Sequence, residues 1–242
     1  MHVDDLVDTG EMYLKAVLEL EEEGVVAMRA RLVERFEHGA STVSETVQRL
    51  QRHGLVELEA DRHVGLTAAG RRMAGSVMRK HRLAEVFLGD VVGLDWELLH
   101  EEACRWEHVM SDRAAQLMDR LLGHPARTPY GNLIHDADGE SRAASVGALN
   151  LVGLVREHGG SVIARIEWIG EPLQADPEAL ASLRRTGLVP GAVVTAHAHG
   201  ALLLLRPAVA EGEEGERPEV EAPDELAVHL FAVPVPGLSE PV

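Results

Sequence analysis

This 242-residue sequence predicts a mainly α chain with a C-terminal β domain, and three observations carry the prediction. Apolar residues recur at helical spacing through most of positions 7–122. Pro125, Pro129 and Gly131 then end that periodicity and open a linker that runs to about residue 143. Beyond it, short strand-like segments alternate with Gly, Pro and acidic turns. The expected domains are residues 1–74, 75–143 and 144–242.

Met12, Val17, Leu18 and Leu20 mark the inner stripe of a first helix over 7–23, with Asp8 or Thr9 as its cap. After Gly24, MRARLVERF reads as a short second helix. HGAS breaks it, and STVSETVQRLQRHG starts a third with Ser41 as N-cap, Thr42 to Arg52 as body and Gly54 as stop. This is a helix-turn-helix pattern. LVELEADRHVGLT alternates on either side of Ala60, Asp61 and Arg62, as a β-hairpin would, so a winged helix-turn-helix is expected. A long helix from Ala68 to about Val91 follows, then helices from Trp96 to Met110 and from Asp112 to Leu122. In the last part SVIARIEWI, GAVVTAHA, ALLLLRP and LAVHLFAV read as strands and PEALASLRR as a short helix, which predicts a small β-barrel. The stretch EGEEGERPEVEAPDE is expected to be a solvated loop.

A hydrophobic content of 45% supports a proper core. No apolar run long enough to span a membrane and no export signal is read, so the expected compartment is the cytoplasm. One cysteine excludes a disulfide framework within the chain and leaves a thiol for metal. The net charge of −17 argues on average against nucleic acid, because phosphate binding needs local Lys and Arg. The distribution is uneven: residues 27–82 hold 11 Lys or Arg against 6 Asp or Glu, whereas 211–225 hold 8 acidic residues and one Arg. A basic block inside an acidic chain fits a DNA-binding module whose repulsive remainder is offset by bound divalent cations.

Two sets of metal-ligand residues lie between positions 81 and 108. His81 and Glu85 form H-x-x-x-E, and Cys104, Glu107 and His108 form C-x-x-E-H. Residues three and four apart share a helix face, so each set can present its donors side by side. Neither closes a coordination sphere alone. On periodicity alone, Met12 and Cys104 read as packing residues. His38, His53, His124, His197 and His199 read as surface residues.

In their order and spacing, VDTGEMYL, STVSETVQRLQRHGL, VMRKHRLAE, HEEACRWEHVMSD, TPYGN and EPLQADPEALASLRRTGLVPGA resemble the diphtheria toxin repressor family of metal-dependent regulators. The likeness covers nearly the whole chain and is strongest to the iron-dependent branch. It implies a winged helix-turn-helix, a helical dimerisation and metal-binding domain, and an SH3-like barrel. It also implies a primary site of Met12, Cys104, Glu107 and His108, and an ancillary site of His81, Glu85, His100, Glu171 and Gln174. Arg82, Thr128 and Asn132 match positions that hold a small anion. A thioether and a thiolate beside a carboxylate and an imidazole suit Fe²⁺, Co²⁺ or Ni²⁺ better than Mg²⁺ or Ca²⁺. Manganese-responsive relatives usually carry an acidic residue where Cys104 stands.

The function so implied is an Fe²⁺-activated homodimeric repressor of iron-homeostasis genes. It would hold two ions per chain, with Co²⁺, Ni²⁺, Mn²⁺ or Zn²⁺ as substitutes, and bind a double-stranded DNA operator as one or two dimers. No membrane partner and no enzymatic activity are expected. Metal joining Met12 to the later ligands would fix the spacing of the recognition helices to successive major grooves. Arg29, Gly39, Ser41, Thr42, Ser44, Glu45, Thr46 and Arg49 are the DNA-contact candidates, while Val43, Val47 and Leu50 should face the core. Iron-responsive members commonly read SGPTVSQTV where this chain has GASTVSETV. Glu45 cannot make glutamine's two-way contact with adenine but can accept from a cytosine amino group, so a changed base step is expected. Three alternatives stand beside this reading. A manganese-responsive regulator is favoured by the altered helix and disfavoured by Cys104. A metallohydrolase lacks a carboxylate set aside as base. An iron-storage or delivery module leaves the basic helix-turn-helix unexplained.

Overall fold

The structure, a computed structural model, describes residues 3–59, 62–136, 147–207 and 219–236, with side chains from residue 9 onward. It divides into two compact units, one of residues 1–84, 103–126 and 134–142, the other of 85–102, 127–133 and 143–242. The segment 75–143, expected as a domain of its own, is thus apportioned between both.

In the first unit, α1 (Val3–Glu22) begins before the position that periodicity predicts. Every residue from Tyr13 to Leu20 is buried, Lys15 and Glu19 included, so this part of α1 is a core helix with two charges inside it. Leu32 of α2 (Arg29–Phe36) and Val43, Val47 and Leu50 of α3 (Ala40–Arg52) pack on the same core, as expected of α3. The cap of α3 is Gly39, with no side-chain bond, and not Ser41. Glu37 turns left-handed (φ 52°) to end α2, so the chain re-enters a helix at Ala40 and leaves Ser41 exposed in the first turn.

The wing is formed by β1 (Val56–Leu58) and β2 (Val64–Leu66), antiparallel with Glu57 opposite Gly65. Ala60 and Asp61 of the expected turn lie outside the described residues. Thr67 starts α4 (Ala68–Phe87): its hydroxyl accepts from the Gly70 N–H at 3.1 Å and donates to the Gly54 carbonyl at 2.7 Å. A Cβ at Gly70 would lie 1.9 Å from the Leu55 carbonyl oxygen, so the wing approaches α4 where only glycine fits.

The later helices are shorter than predicted. The α-helical hydrogen bonding of α4 loosens into a π-type turn over Leu88–Val92, which Gly93 ends at φ 77°. The helix expected over Trp96 to Met110 is a tight turn, Trp96–Leu98, followed by α5 (Leu99–Trp106). Glu107 and His108 therefore lie in the turn past α5, not on its face with Cys104. Ser111 accepts from the Ala114 N–H at 3.2 Å and starts α6 (Asp112–Leu121). Both α4 and α5 pass from one unit into the other.

The second unit holds an antiparallel sheet of β3 (Leu149–Asn150), β4 (Ser161–Ile169), β5 (Val193–His199), β6 (Leu202–Pro207), β7 (Val220–Pro223) and β8 (Leu230–Pro234). Its order is β3-β8-β4-β5-β6-β7, with β3 and β7 at the edges. Burial alternates along β4 and β6, as the strand pattern requires. Trp168 and Phe231 stack at 3.6 Å beside a register shift between Ile166 and Trp168. Sequence reading missed α7 (Leu151–Glu157), although Leu151, Leu154 and Val155 have helical spacing and Asn150 caps it. Glu171–Gln174 form a short helix, α8, and PEALASLRR forms α9 (Pro177–Thr186) after it. Two further readings are corrected. Of the acidic stretch 211–225, residues 211–218 lie outside the described residues, while Val220–Pro223 pair with β6 and are not a solvated loop. Of LAVHLFAV, Leu226 and Ala227 belong to a helix, α10 (Asp224–Ala227), because Pro223 and Asp224 start a turn before β8.

Candidate metal centre

The first unit gathers most of the primary ligand set around Glu107, which is 3% exposed. Lys15 Nζ donates to Glu107 Oε2 at 2.8 Å, and His81 Nδ1 lies 2.6 Å from the same oxygen. Lys15 Nζ also lies 3.2 Å from that His81 nitrogen, so Lys15, His81 and Glu107 form one buried cluster. On the other oxygen, His108 Nε2 lies 3.1 Å from Glu107 Oε1, and His108 Nδ1 lies 2.9 Å from Glu11 Oε2. Cys104 Sγ is 4.0 Å from Lys15 Nζ. Met12 stands between Glu11 and Tyr13 on α1, 37% exposed.

Charge follows geometry here. Burial alone would raise the Glu107 carboxyl, but the Lys15 and His81 charges, with hydrogen bonds from His108 and His81, hold it well below the usual range. His108 is pushed up to about 9, chiefly by its hydrogen bonds to Glu107 and Glu11, against burial. An ionised carboxylate, an imidazole and a half-buried thiol thus sit where cations are favoured, which fits a divalent ion of intermediate softness. Sequence reasoning missed Glu11 and Lys15. Lys15 lies three residues past Met12, the one available signal that it shares that helix face.

The same stretch of α1 reaches the recognition helix. Tyr13 is fully buried in one core with Val43 and Val47 of α3, and its hydroxyl lies 2.9 Å from His38 Nδ1, just before that helix. Tyr13 stacks on Phe36 at 4.6 Å, and Phe36 on His38 at 5.7 Å. Thr46, expected to touch DNA, is instead 6% exposed, because it falls on the Val43 and Val47 face of α3. His38, expected at the surface, is half-buried against Tyr13. Ser41, Thr42 and Glu45 are exposed on α3 and Ser44 is partly so, while Gly39 is exposed at the cap. Arg29 and Arg49 are half-buried, and Arg29 Nε and Arg49 Nη2 are buried without a hydrogen-bond partner.

In the second unit, Glu85, His100, Glu171 and Gln174 are all buried. His100 Nδ1 lies 3.6 Å from Glu85 Oε1 and 3.4 Å from Glu171 Oε2, both long for a hydrogen bond. Gln174 donates through Nε2 to the Asn132 side chain at 3.0 Å and the Ile169 carbonyl at 2.6 Å, which leaves its buried Oε1 without a hydrogen-bond partner. Two buried carboxylates and an acceptor with no donor favour a cation, so this donor set also fits a metal. The TPYGN turn positions it. Tyr130 donates to the Trp96 carbonyl at 2.6 Å and accepts from the His100 N–H at 3.3 Å, and a Cβ at Gly131 would lie 2.1 Å from the Glu167 carbonyl oxygen.

The anion candidates are each engaged by protein groups. Arg82, 1% exposed, donates to Glu22 Oε2 at 2.5 Å, and His135 Nε2 lies 3.3 Å from Glu22 Oε1. Burial opposes ionisation of Glu22, but Arg82 and His135 prevail and lower it to about 2. Thr128 Oγ1 lies 3.5 Å from the Asn132 side-chain oxygen.

A winged helix-turn-helix tied through α1 to a carboxylate, imidazole and thiol cluster defines a DNA-binding regulator that responds to metal. Residues 5–64 match the family description "Iron dependent repressor, N-terminal DNA binding domain", and residues 67–136 match "Iron dependent repressor, metal binding and dimerisation domain". The chain is 46% identical over 196 residues to the "Iron-dependent repressor IdeR" of Mycobacterium leprae, covering 80% of this chain and 85% of that one. It is 45% identical over 197 residues to the "Diphtheria toxin repressor" of Corynebacterium efficiens, covering 78% and 83%. Among solved structures, that of T. acidophilum IdeR superposes with a TM-score of 0.74 at 25% identity over 93% of this chain and 97% of that one. A manganese-dependent transcriptional repressor in complex with manganese superposes with a TM-score of 0.74 at 28% identity over 93% and 100%. The chain belongs to the iron-dependent repressor family, whose members are transcriptional repressors and not enzymes. No helix among the described residues is long and apolar enough to cross a membrane.

Proposed function

We propose that this chain is a cytoplasmic, homodimeric repressor that binds operator DNA when Fe²⁺ is available and so controls iron-homeostasis genes. One observation carries the reading: two consecutive turns of α1 engage both the Glu107 cluster, through Glu11 and Lys15, and the recognition helix, through Tyr13. Met12, Cys104, Glu107 and His108 would hold the activating ion. When bound, that ion supplies a divalent charge and a link between α1 and the turn after α5.

The chain's own residues supply the rest. His108 gives up a proton and its tie to one carboxylate to become a ligand, while Glu107 is ionised beforehand and needs no proton loss. Tyr13 passes the position of α1 to His38 and to the Val43 and Val47 face of α3, and so to the exposed Ser41, Thr42 and Glu45 on that helix. Arg29 and Arg49 have buried guanidinium donors without partners, which suits phosphate binding. A second ion would be held by Glu85, His100, Glu171 and Gln174, the set in which the sequence reading also places His81. Exposed Val109, Leu117 and Leu121 support a self-interface, in keeping with a family description that names dimerisation. For the anion position, Glu22 is the partner we assign to Arg82.

The manganese-dependent structural relative favours a manganese-responsive repressor as the second reading, and the Cys104 thiol favours iron. Anaerobic fluorescence anisotropy with iron-box and manganese-box duplexes, in Fe²⁺, Mn²⁺ or chelator, separates them. Binding that needs Fe²⁺ and is lost on chelation is expected; a response confined to Mn²⁺ would overturn the iron assignment.

A further inference from the structure

We propose that Lys15 is a built-in cation of the primary metal centre and sets the metal concentration at which this sensor responds. This rests on the assignment of Cys104, Glu107 and His108 as ligands. The Lys15 ammonium is buried, 2.8 Å from Glu107 Oε2, 3.7 Å from Glu19 Oε1 and 4.0 Å from Cys104 Sγ. It is a point charge held among the donors that a divalent ion would use.

A carboxylate oxygen cannot serve an ammonium and a divalent ion at full strength together, because the two cations repel at that separation. Metal entry therefore requires Lys15 to withdraw from Glu107 and Cys104, and breaking these two interactions weakens metal binding by the free energy they supply. The residue type bears on this. The chain holds 23 Lys or Arg, of which only Lys15 and Lys80 are lysines. Lys80 pairs with Asp112, which is largely exposed; the buried cluster carries the other lysine. A planar guanidinium grips a carboxylate through two parallel bonds, whereas an ammonium on a flexible stem can leave it by rotation of the stem. A residue that must yield its place to a metal ion is better a lysine.

The test uses the full-length protein and Co²⁺, which reports a cysteine ligand through thiolate-to-cobalt absorption. Lys15→Met is expected to lower the Co²⁺ Kd at least tenfold, measured against a competing chelator, while Lys15→Arg keeps it at or above the wild-type value. An unchanged or higher Kd in Lys15→Met overturns the proposal. A second measurement needs no variant. Amine acylation followed by mass spectrometry reads two side chains, and labelling of Lys15 in the wild type should rise on Co²⁺ loading while Lys80 stays constant. Labelling of Lys15 that stays flat or falls counts against the proposal even if the variant does not fold. Absence of the thiolate absorption in the wild type would overturn the ligand assignment itself; its presence with an unaltered Kd in Lys15→Met overturns the role of Lys15 alone.

Discussion

His108 carries both ring protons at neutral pH because each nitrogen faces a carboxylate, Glu107 on one side and Glu11 on the other. Its pKa, raised from the ordinary value to about 9, means that this pairing stabilises the fold fully below the unfolded pKa and fades as pH rises through about 9. Metal binding has the opposite dependence, since a ligating imidazole must lose a proton. Between pH 6.5 and 8.5 the Co²⁺ Kd should fall by up to about a hundredfold per pH unit, with about two protons released per ion, one from the Cys104 thiol and one from His108. Calorimetry in buffers of different ionisation enthalpy reads those protons directly, and a Kd independent of pH would remove His108 from the ligand set. Cys104 has a sharper consequence. Cys104→Ala should abolish metal-dependent DNA binding in an anisotropy titration while leaving the far-ultraviolet circular dichroism unchanged, and retention of binding at micromolar Fe²⁺ would refute its role. The C-x-x-E-H spacing marks Cys104, Glu107 and His108 as candidate donors in the sequence alone. Glu11 and Lys15 are not so marked, since a glutamate and a lysine on a helix carry no signal until the fold brings another segment against them.

At the scale of elements, α1 is the part that matters most. Its buried face carries the Lys15 bond to Glu107 and, one side chain from Met12, the Tyr13 hydroxyl facing His38. Tyr13→Phe keeps the ring and its stacking on Phe36 but removes the hydroxyl. A hydrogen bond of this kind is worth about 1 kcal/mol, so the metal-loaded protein should bind DNA roughly fivefold more weakly. Its Co²⁺ affinity should stay near that of the wild type; a variant that binds DNA as the wild type does would show that α1 speaks to α3 by another route. Periodicity found α1, α2, α3 and the wing, because their apolar stripes face one continuous core. It overran α4 and α5, because helical spacing of side chains persists through the π-type turn after Phe87 and the turn past Trp106, where only backbone hydrogen bonding changes.

For the whole molecule, the two candidate centres should not be equivalent. Glu107 belongs to the unit that contains the helix-turn-helix, whereas Glu171 belongs to the unit that contains the sheet. Removal of a ligand in the second should therefore raise the metal concentration needed for DNA binding without eliminating it. In a metal titration followed by anisotropy, Glu171→Ala should shift the midpoint upward, where Cys104→Ala removes the response. A reversed order would exchange the labels of primary and ancillary site. The net charge of −17 gives this dependence a further reason: a chain that repels phosphate overall gains from every divalent cation it retains.

By itself the sequence determined the helix-turn-helix with its wing, the change from helices to strands, and two clusters of candidate donors, since each is written in local spacing: 3.6-residue stripes, alternation, and His, Cys and Glu at intervals of three and four. Met12, His100, Glu171 and Gln174 came only from the family resemblance. Only the tertiary structure decided that His38 turns inward to Tyr13, that Glu22 answers Arg82, and that Lys15 lies against Glu107. Each of these joins residues far apart in the chain. Partnership at such separation depends on how helices pack and which polar groups are buried together, and a buried charge takes its meaning from its neighbours.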